Sequence, residues 1–416
     1  MLAPRRKQHR QSDMSEKIVI IGAGQAAAQA VQSLRNDGFD GPITLVGEEP
    51  YAPYQRPPLS KAYLLGQFER ARLFLKGDDY YPHAGCELLL NTRARAIHRA
   101  GRTVELEDGR ALPYDKLLLT TGARVRKLSC AGADLPGVHY LKTIADVDGL
   151  QAAFTAGKRI AVVGGGYIGL EVAAVAAKRG LKVTVFEAMD RLMARAVSPQ
   201  LSAFYAGEHE KAGVDLRLKT GVEEIGGHGK VEWVRAGGMT YDADMVLVGI
   251  GVVPCEELAR EAGLACEDGI VVDRNARTGD PHIWAAGDCT RHVGREGHAI
   301  RLECVQNAID QAKHAALAMT GKPKTYSEVP WFWSDQYDLK LQIAGLARAS
   351  DAIVQRGDPA ARKFSVFHLR DGKVAAVEAV NAAPDYLIGK KLIAEGTRVD
   401  PARLADLSIP IKQVAG

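Results

Sequence analysis

The chain has 416 residues, enough for two or three domains each with a core of its own. Its 54 basic and 50 acidic residues leave a formal charge of +4, which Arg5, Arg6, Lys7 and Arg10 supply by themselves, so the remainder is balanced and offers no global attraction to nucleic acid. No apolar run approaches the ~20 residues that a membrane span needs, and the six cysteines, at 86, 130, 255, 266, 289 and 304, lack the close spacing of a zinc site or a redox pair.

That cysteine usage fits reduced thiols in a cytoplasmic enzyme, most of them small buried side chains. Residues 1–13 have no apolar h-region and read as a disordered basic leader, with Met14 a candidate natural start.

In Ile18-Val-Ile-Ile-Gly22-Ala-Gly24-Gln-Ala-Ala27 an apolar strand runs into a glycine turn. An alanine-rich helix pattern continues to Leu34, and a second apolar strand from Ile43 ends at Gly47-Glu48. This order is the dinucleotide-binding fingerprint, with Ala27 in the third small position. The first glycine allows the tight turn, the second lets backbone approach a diphosphate, and the third small residue lets the helix pack close on the strand. The diphosphate then meets free N–H groups at the helix's positive end.

The pattern recurs from Ile160 as Gly164-Gly165-Gly166-Tyr-Ile168-Gly169-Leu-Glu171, a helix to Arg179-Gly180, and a strand from Val183 to Phe186 that ends on Glu187. A single glycine motif is weak, because glycine turns are common; two complete units are strong. Each unit is followed by an aspartate-led apolar strand that closes on glycine, from Asp115 to Gly122 and from Asp242 to Gly249 and Gly251. The chain therefore holds two similar nucleotide domains. Alternating runs over 102–109 and 231–235 predict a β-meander inserted in each.

Beyond Gly251, Ala286-Gly287-Asp288 closes another strand, and Glu303-Cys304-Val305 opens an alanine-rich helix to about Met319. From Tyr326 a third domain of α+β type begins with Trp331-Phe332-Trp333-Ser-Asp-Gln. It continues with strands over 340–344, 364–369 and 374–380 and a closing helix over 385–395. The fold class is α/β, with two Rossmann-like dinucleotide-binding domains and a C-terminal α+β domain. At the end of the second unit's second strand, Glu187 can accept from both ribose hydroxyls and repel a 2′-phosphate, which predicts NADH over NADPH. Arg191 nearby is the counter-argument, since an arginine can host that phosphate.

Together Gly22-Ala-Gly24, Pro53-Tyr-Gln-Arg56-Pro-Pro-Leu-Ser-Lys61, Thr121-Gly122-Ala123-Arg124, Gly164 to Glu171, Gly251-Val-Val-Pro254, Ala286-Gly-Asp288 and Trp331 to Gln336 carry a resemblance over essentially the whole chain from Met14. The chain resembles the FAD-dependent NADH:ferredoxin reductases of bacterial oxygenase and cytochrome P450 systems, the putidaredoxin-reductase-like branch of the glutathione-reductase-like flavoproteins. Rubredoxin reductases and apoptosis-inducing-factor-like proteins share parts of the pattern. The resemblance implies an FAD-binding domain over 14–123 and 252–325, an NADH-binding domain over 124–251 and the third domain over 326–416.

In the first unit it implies that Gly22, Gly24, Ala27 and Glu48 hold the FAD nucleotide, with Arg56 and Ala123 lining its pocket. Asp288 would bond the ribityl chain and Val305 would lie under the flavin's pyrimidine side. A helix starting there aims its N–H groups where negative charge develops on reduction. In the second unit Gly164, Gly166, Ile168, Gly169, Glu187 and Gly251 would hold NADH. Lys61 and Glu171 are placed beside the hydride path, where we expect them to form an ion pair; the plainer readings are a solvated lysine and a helix-surface glutamate.

Hydride transfer needs the two rings at a near-attack distance of roughly 3–3.5 Å, and the outward step must be one electron at a time because a [2Fe–2S] ferredoxin accepts one. Trp333 is the candidate for covering the flavin on the exit side, although at least one of Trp331, Phe332 and Trp333 is expected to be a core aromatic. An acidic ferredoxin in transient docking calls for a local basic patch, for which Lys313, Arg301 and Lys340 are candidates. A flavin disulfide reductase would need a cysteine pair after the first fingerprint, and a single-cysteine oxidase or peroxidase one in the loop 56–61; neither is present. Cys304, beside Val305, reads as packing. An apoptosis-inducing-factor-like binding role would need a basic surface that the balanced charge does not supply. No nucleic acid, membrane or metal is expected.

Overall fold

A computed structural model of the protein describes residues 16–414. The expected leader over 1–13 lies outside them. Two five-stranded parallel sheets repeat one topology. In the first the strand order is Ile283–Ala285, Lys116–Leu119, Ile18–Ile21, Ile43–Val46, Cys86–Leu89. In the second it is Val138–Tyr140, Met245–Val248, Arg159–Val163, Lys182–Phe186, Asp215–Arg217. Each fingerprint strand is central, flanked by its closing strand and by the strand that ends in the acid. Ile18–Ile21 and Met245–Val248 are buried along their whole length, as parallel strands covered on both faces must be.

The turn after each fingerprint strand shows why glycine stands there. Gly22 and Gly164 both have φ of +106°, and an added Cβ would lie 2.3 Å from the Thr120 carbonyl oxygen in one and 2.4 Å from that of Gly249 in the other. The helices that follow, Gln25–Asn36 and Tyr167–Lys178, bury their small residues on the sheets. The expected meanders are three-stranded antiparallel sheets, Ala94–His98 with Thr103–Leu106 and Ala111–Pro113, and Val222–Gly226 with Trp233–Ala236 and Met239–Asp242.

The polypeptide passes between the two units twice, side by side: Ala123–Val125 pairs antiparallel with Val252–Pro254, Val125 opposite Val252 and Ala123 opposite Pro254. Helix Val305–Met319, where an alanine-rich helix was expected, shares a core with the first unit's helix through Ala308, Ala312, Ala315, Ala316 and Met319.

The third domain is a five-stranded antiparallel sheet in the order Trp331–Gln336, Leu339–Gly345, Lys373–Val380, Lys363–Arg370, Ala352–Asp358. One face carries helix Ala383–Glu395 over Ala344, Phe367 and Val377. From the other face Leu339, Leu341, Phe364 and Val366 enter a core that also holds Leu170, Leu201 and Tyr205 of the second unit and Leu59 and Leu64 of the first-unit loop. All three domains therefore meet in one apolar cluster. The strand Ala352–Asp358 and the short helix Pro401–Ala405 were not foreseen.

Candidate functional site

Among the described helices of twelve residues or more, three begin without a side-chain cap and without an acid in the first turn: Gln25–Asn36 after Gly24, Tyr167–Lys178 after Gly166, and Val305–Met319 after Cys304. Of the other long helices, Ile144–Ala153 is capped by Thr143 and Pro199–Lys211 by Ser198, and Ala383–Glu395 carries Asp385 in its first turn. The three bare ends present N–H groups to whatever lies in front of them. A Cβ added at Gly24 or Gly166 would meet nothing within 4 Å, so the space before both first turns is open for a diphosphate. Behind it the packing is tight: Ala27 is buried, and a Cβ at Gly169 would lie 2.1 Å from the Gly164 carbonyl oxygen. The residues present fit two dinucleotides.

The two strand-end acids differ. Glu187 is oriented by its own loop, Oε2 accepting from the Gly165 N–H (2.7 Å) and Oε1 from the Met189 N–H (2.8 Å). Arg191 turns away, donating to the carbonyls of Val197 (2.8 Å) and Ala194 (2.6 Å). Apolar Ile168 is 40% exposed and Met189, beside Glu187 in its loop, 50% exposed, and Gly251 has φ of +100°. Glu48 is 73% exposed, with only Arg93 at 3.9 Å.

Asp288 faces a group that the sequence did not disclose, Lys142, with Nζ at 4.0 Å from Oδ2. Burial pushes the Asp288 carboxyl up while Lys142 pulls it down. Burial likewise lowers Lys142, and Asp288 opposes that shift. Arg56 ties its own loop to Lys142, donating to Glu49 (2.7 Å), to the Tyr54 hydroxyl (3.0 Å) and to the Lys142 carbonyl (2.5 Å). Ala123 is buried beside Pro254 at the crossing pair. Below Asp288, the Gly287 N–H and the Thr290 hydroxyl both donate to Gln311 Oε1 at 2.8 Å, which fixes the Gly-Asp turn against the helix that starts at Val305. Burial pushes the Cys304 thiol up to about 11, so it is neutral at pH 7, in keeping with packing.

Lys61 and Glu171 form the expected ion pair, Nζ to Oε2 at 2.7 Å, with side chains only 18% and 3% exposed. Lys61 ends the single turn Pro57–Ser60 of the first unit, whereas Glu171 stands in the second turn of the second unit's helix. The pair thus bridges the two nucleotide units. Phe332 stacks on Tyr167, the first residue of that helix, with ring centroids 4.5 Å apart. On the other face of its strand Trp331 and Trp333 lie 5.6 Å apart, both half-buried. Trp331 packs on the third-domain core beneath Lys390, whose ammonium lies 5.2 Å from the ring centroid.

Residues 16–316 match the family model described as pyridine nucleotide-disulphide oxidoreductase, and residues 331–415 match the one described as reductase C-terminal. The chain belongs to the pyridine nucleotide-disulphide oxidoreductase family. Among curated relatives of this family, the 5,5′-dehydrodivanillate O-demethylase ferredoxin reductase subunit of Sphingobium sp. (strain NBRC 103272 / SYK-6) is 45% identical over 95% of this chain and 97% of its own. Rhodocoxin reductase of Rhodococcus erythropolis is 46% identical over 95% and 93%. The crystal structure of the covalent putidaredoxin reductase–putidaredoxin complex matches with a TM-score of 0.94 at 40% identity, covering 96% of this chain and 98% of that one. The glutathione-reductase-like fold expected from the motifs is thereby established, together with the family's two cofactors, FAD and a nicotinamide dinucleotide.

Within this oxidoreductase family chain, some expectations need correction. Arg301 is not available for docking: its guanidinium is largely buried and paired with Asp268 (3.2 Å) and Glu303. Lys340, by contrast, stays exposed opposite Asp335, one cross-strand pair along from Trp333 and Gln342 on the same face, and remains a candidate. Lys313 is paired with Asp310 at 3.0 Å. The cation actually seated on Trp331 is Lys390. Also unforeseen were Ser60 and Ser334, which donate to Glu171 at 2.5 and 2.6 Å. Both stand inside quoted motifs, yet nothing in linear spacing brings them to a residue more than a hundred positions away. All six cysteines are free. Among the described residues no helix is long and apolar enough to cross a membrane.

Proposed function

We propose that this protein is the NADH-dependent reductase of a bacterial oxygenase system, delivering electrons to an acidic [2Fe–2S] ferredoxin that serves a cytochrome P450 or a Rieske oxygenase. The observation that carries the reading is the buried Lys61–Glu171 pair that joins the two nucleotide units. Bound FAD supplies the redox chemistry, accepting a hydride from NADH and releasing the two electrons singly.

This chain's residues supply position and electrostatics. Gly22, Gly24 and Ala27 clear the way for the FAD diphosphate at the bare end of Gln25–Asn36, with Glu48 at the adenosine ribose. Arg56, Ala123, Lys142 and Asp288 would line the middle of the site, and the N–H groups beginning at Val305 would stabilise negative charge on the pyrimidine side of the flavin. Gly164, Gly166, Ile168, Gly169 and Gly251 receive the nicotinamide nucleotide. Glu187 selects NADH: its carboxylate is already fixed to meet the ribose hydroxyls and would repel a 2′-phosphate, and Arg191 is engaged elsewhere. Lys61 and Glu171 take the catalytic positions at the hydride path. Trp333, with Trp331 beside it and Lys390 above, forms the exit face, where a cation and exposed aromatic surface suit a weak, electrostatically steered encounter. The six free thiols fit a cytoplasmic location.

Anaerobic mixing of the FAD-loaded protein with NADH should bleach the flavin, and subsequent addition of a [2Fe–2S] ferredoxin should restore its absorbance. No bleaching by NADH overturns the reading; reoxidation by rubredoxin alone would convert it to a rubredoxin reductase.

A further inference from the structure

Glu171 is held by far more than Lys61. Its Oε2 accepts from Ser60 as well as from Lys61, and its Oε1 accepts from the hydroxyl of Ser334 in the third domain. Behind Ser334 a chain of buried polar groups continues. Gln336 Nε2 donates to Ser334 Oγ at 3.3 Å, Gln336 Oε1 lies 2.9 Å from His209 Nε2, and the Tyr337 hydroxyl lies 2.9 Å from His209 Nδ1. His209 comes from the second unit's helix Pro199–Lys211, so the chain crosses back from the third domain to the second.

Every link has one sense. A carboxylate only accepts, so Ser334 gives its single proton to Glu171 and can only accept from Gln336. The Gln336 amide therefore turns its NH₂ to Ser334 and its carbonyl to His209. His209 must then carry its proton on Nε2, which leaves Nδ1 to accept from Tyr337. Burial lowers the His209 pKa, against the smaller opposing effects of Gln336 and Glu208, and keeps the ring neutral with the one N–H that this order requires. Four side-chain dipoles are thus aligned head to tail on one buried carboxylate, each bond polarising the next. The Gln336 amide cannot hand a proton onward, so the chain is a support and not a conduit.

We propose that Ser334, Gln336, His209 and Tyr337 are positioning residues for hydride delivery, fixing the Glu171 carboxylate and through it the Lys61 ammonium at the junction of the two nucleotide sites. This rests on the assignment of Lys61 and Glu171 to the hydride path. It gives the third domain, which has no nucleotide motif, a part in aligning the reacting groups.

The test is anaerobic rapid mixing of FAD-loaded variants with NADH, reading the limiting rate of flavin bleaching separately from its NADH dependence. Ser334→Ala should lower the limiting rate about tenfold, equivalent to one hydrogen bond to the charged group, and leave the half-saturating NADH concentration unchanged. Gln336→Met should do less, and Tyr337→Phe about twofold. In a Glu171→Gln background Ser334→Ala should change the rate by less than about twofold, because the two residues act as one unit.

Equal losses with and without Glu171 would overturn the proposal. So would a lowered thermal midpoint combined with a wild-type limiting rate in the FAD-loaded fraction. Should Ser334→Ala fail to fold, Tyr337→Phe keeps the ring's shape, and a limiting rate indistinguishable from wild type in that variant removes the relay. A wild-type protein that NADH does not bleach refutes the reductase assignment and this proposal with it; a wild type that bleaches beside unaffected variants refutes the relay alone.

Discussion

The two glycine-rich units are near copies, and the instructive position is the fifth residue of their helices. In the first unit it is Gln29, half-buried and donating to Ser33 on its own helix at 3.0 Å. In the second it is Glu171, buried among Lys61, Ser60 and Ser334 from both other domains. The second residue of each helix diverges in the same way. Ala26 is buried beneath Gly287, where an added Cβ would lie 3.5 Å from it and 3.7 Å from Ala308. Its counterpart Ile168 stays open to water. At this position the first unit packs against the Gly287 turn and the helix Val305–Met319, while the second unit faces water. One supersecondary unit was kept, and what packs on it decided its task.

The widest separation between the units should come from the turn glycines. Gly22→Ala drives a Cβ into the Thr120 carbonyl at a positive φ, and should cost at least about 4 kcal/mol and the bound FAD, read by denaturation and by colour. Gly164→Ala meets the same clash at Gly249 but should leave FAD in place and abolish reduction by NADH. Loss of FAD in both variants would show that the units are not separable.

Next is a pH effect carried on the first unit's side by His292. Burial lowers His292 to about 4, below the ~6.5 of an unfolded chain. In that window the unfolded state binds the extra proton, so the contribution is full above about pH 6.5 and is lost as pH falls toward 4, up to about 3 kcal/mol. His292→Leu should flatten urea-measured stability across that window.

Exchanging the fifth-position residues sharpens the comparison further. Glu171→Gln should slow flavin bleaching by about 100-fold, roughly 2.7 kcal/mol of barrier. Gln29→Glu should leave it within about twofold. Smaller still, Glu187→Ala should reduce the NADH-over-NADPH ratio of kcat/KM by about tenfold, equivalent to one or two ribose hydrogen bonds. The least effect belongs to Glu48→Ala, because that carboxylate is exposed and loosely paired; a few-fold rise in the FAD dissociation constant is expected from titration of the apoprotein.

The parts legible in the sequence were those where backbone geometry dictates the residue. Gly22 and Gly164 had to be glycine for steric reasons, and the apolar runs beside them had to be central strands, so both units were visible with their topology. The Lys61–Glu171 pair was foreseen only through resemblance, since two residues 110 positions apart leave no mark in linear spacing. Lys142, Ser60, Ser334 and His209 were hidden for the same reason. Arg301 was misjudged because its partner Asp268 stands on a turn 33 residues earlier, and a charge count cannot tell a spent cation from a free one. The edge strand Ala352–Asp358 escaped because it leaves both faces largely exposed and contains Gly357 at φ of +90°, which blurs the two-residue alternation.

The side-by-side passage at Ala123–Val125 and Val252–Pro254 makes the whole second unit an insertion in the first. On the ribosome the first four strands of the opening sheet emerge early, but the fifth, Ile283–Ala285, and the helix ending at Met319 appear only after the inserted unit has been made. Vectorial synthesis therefore delivers a complete nicotinamide domain before a complete flavin domain, and FAD capture is deferred until the helix ending at Met319 has emerged. A nascent chain stalled before Met319 should be able to fold its middle while its beginning still waits for its end.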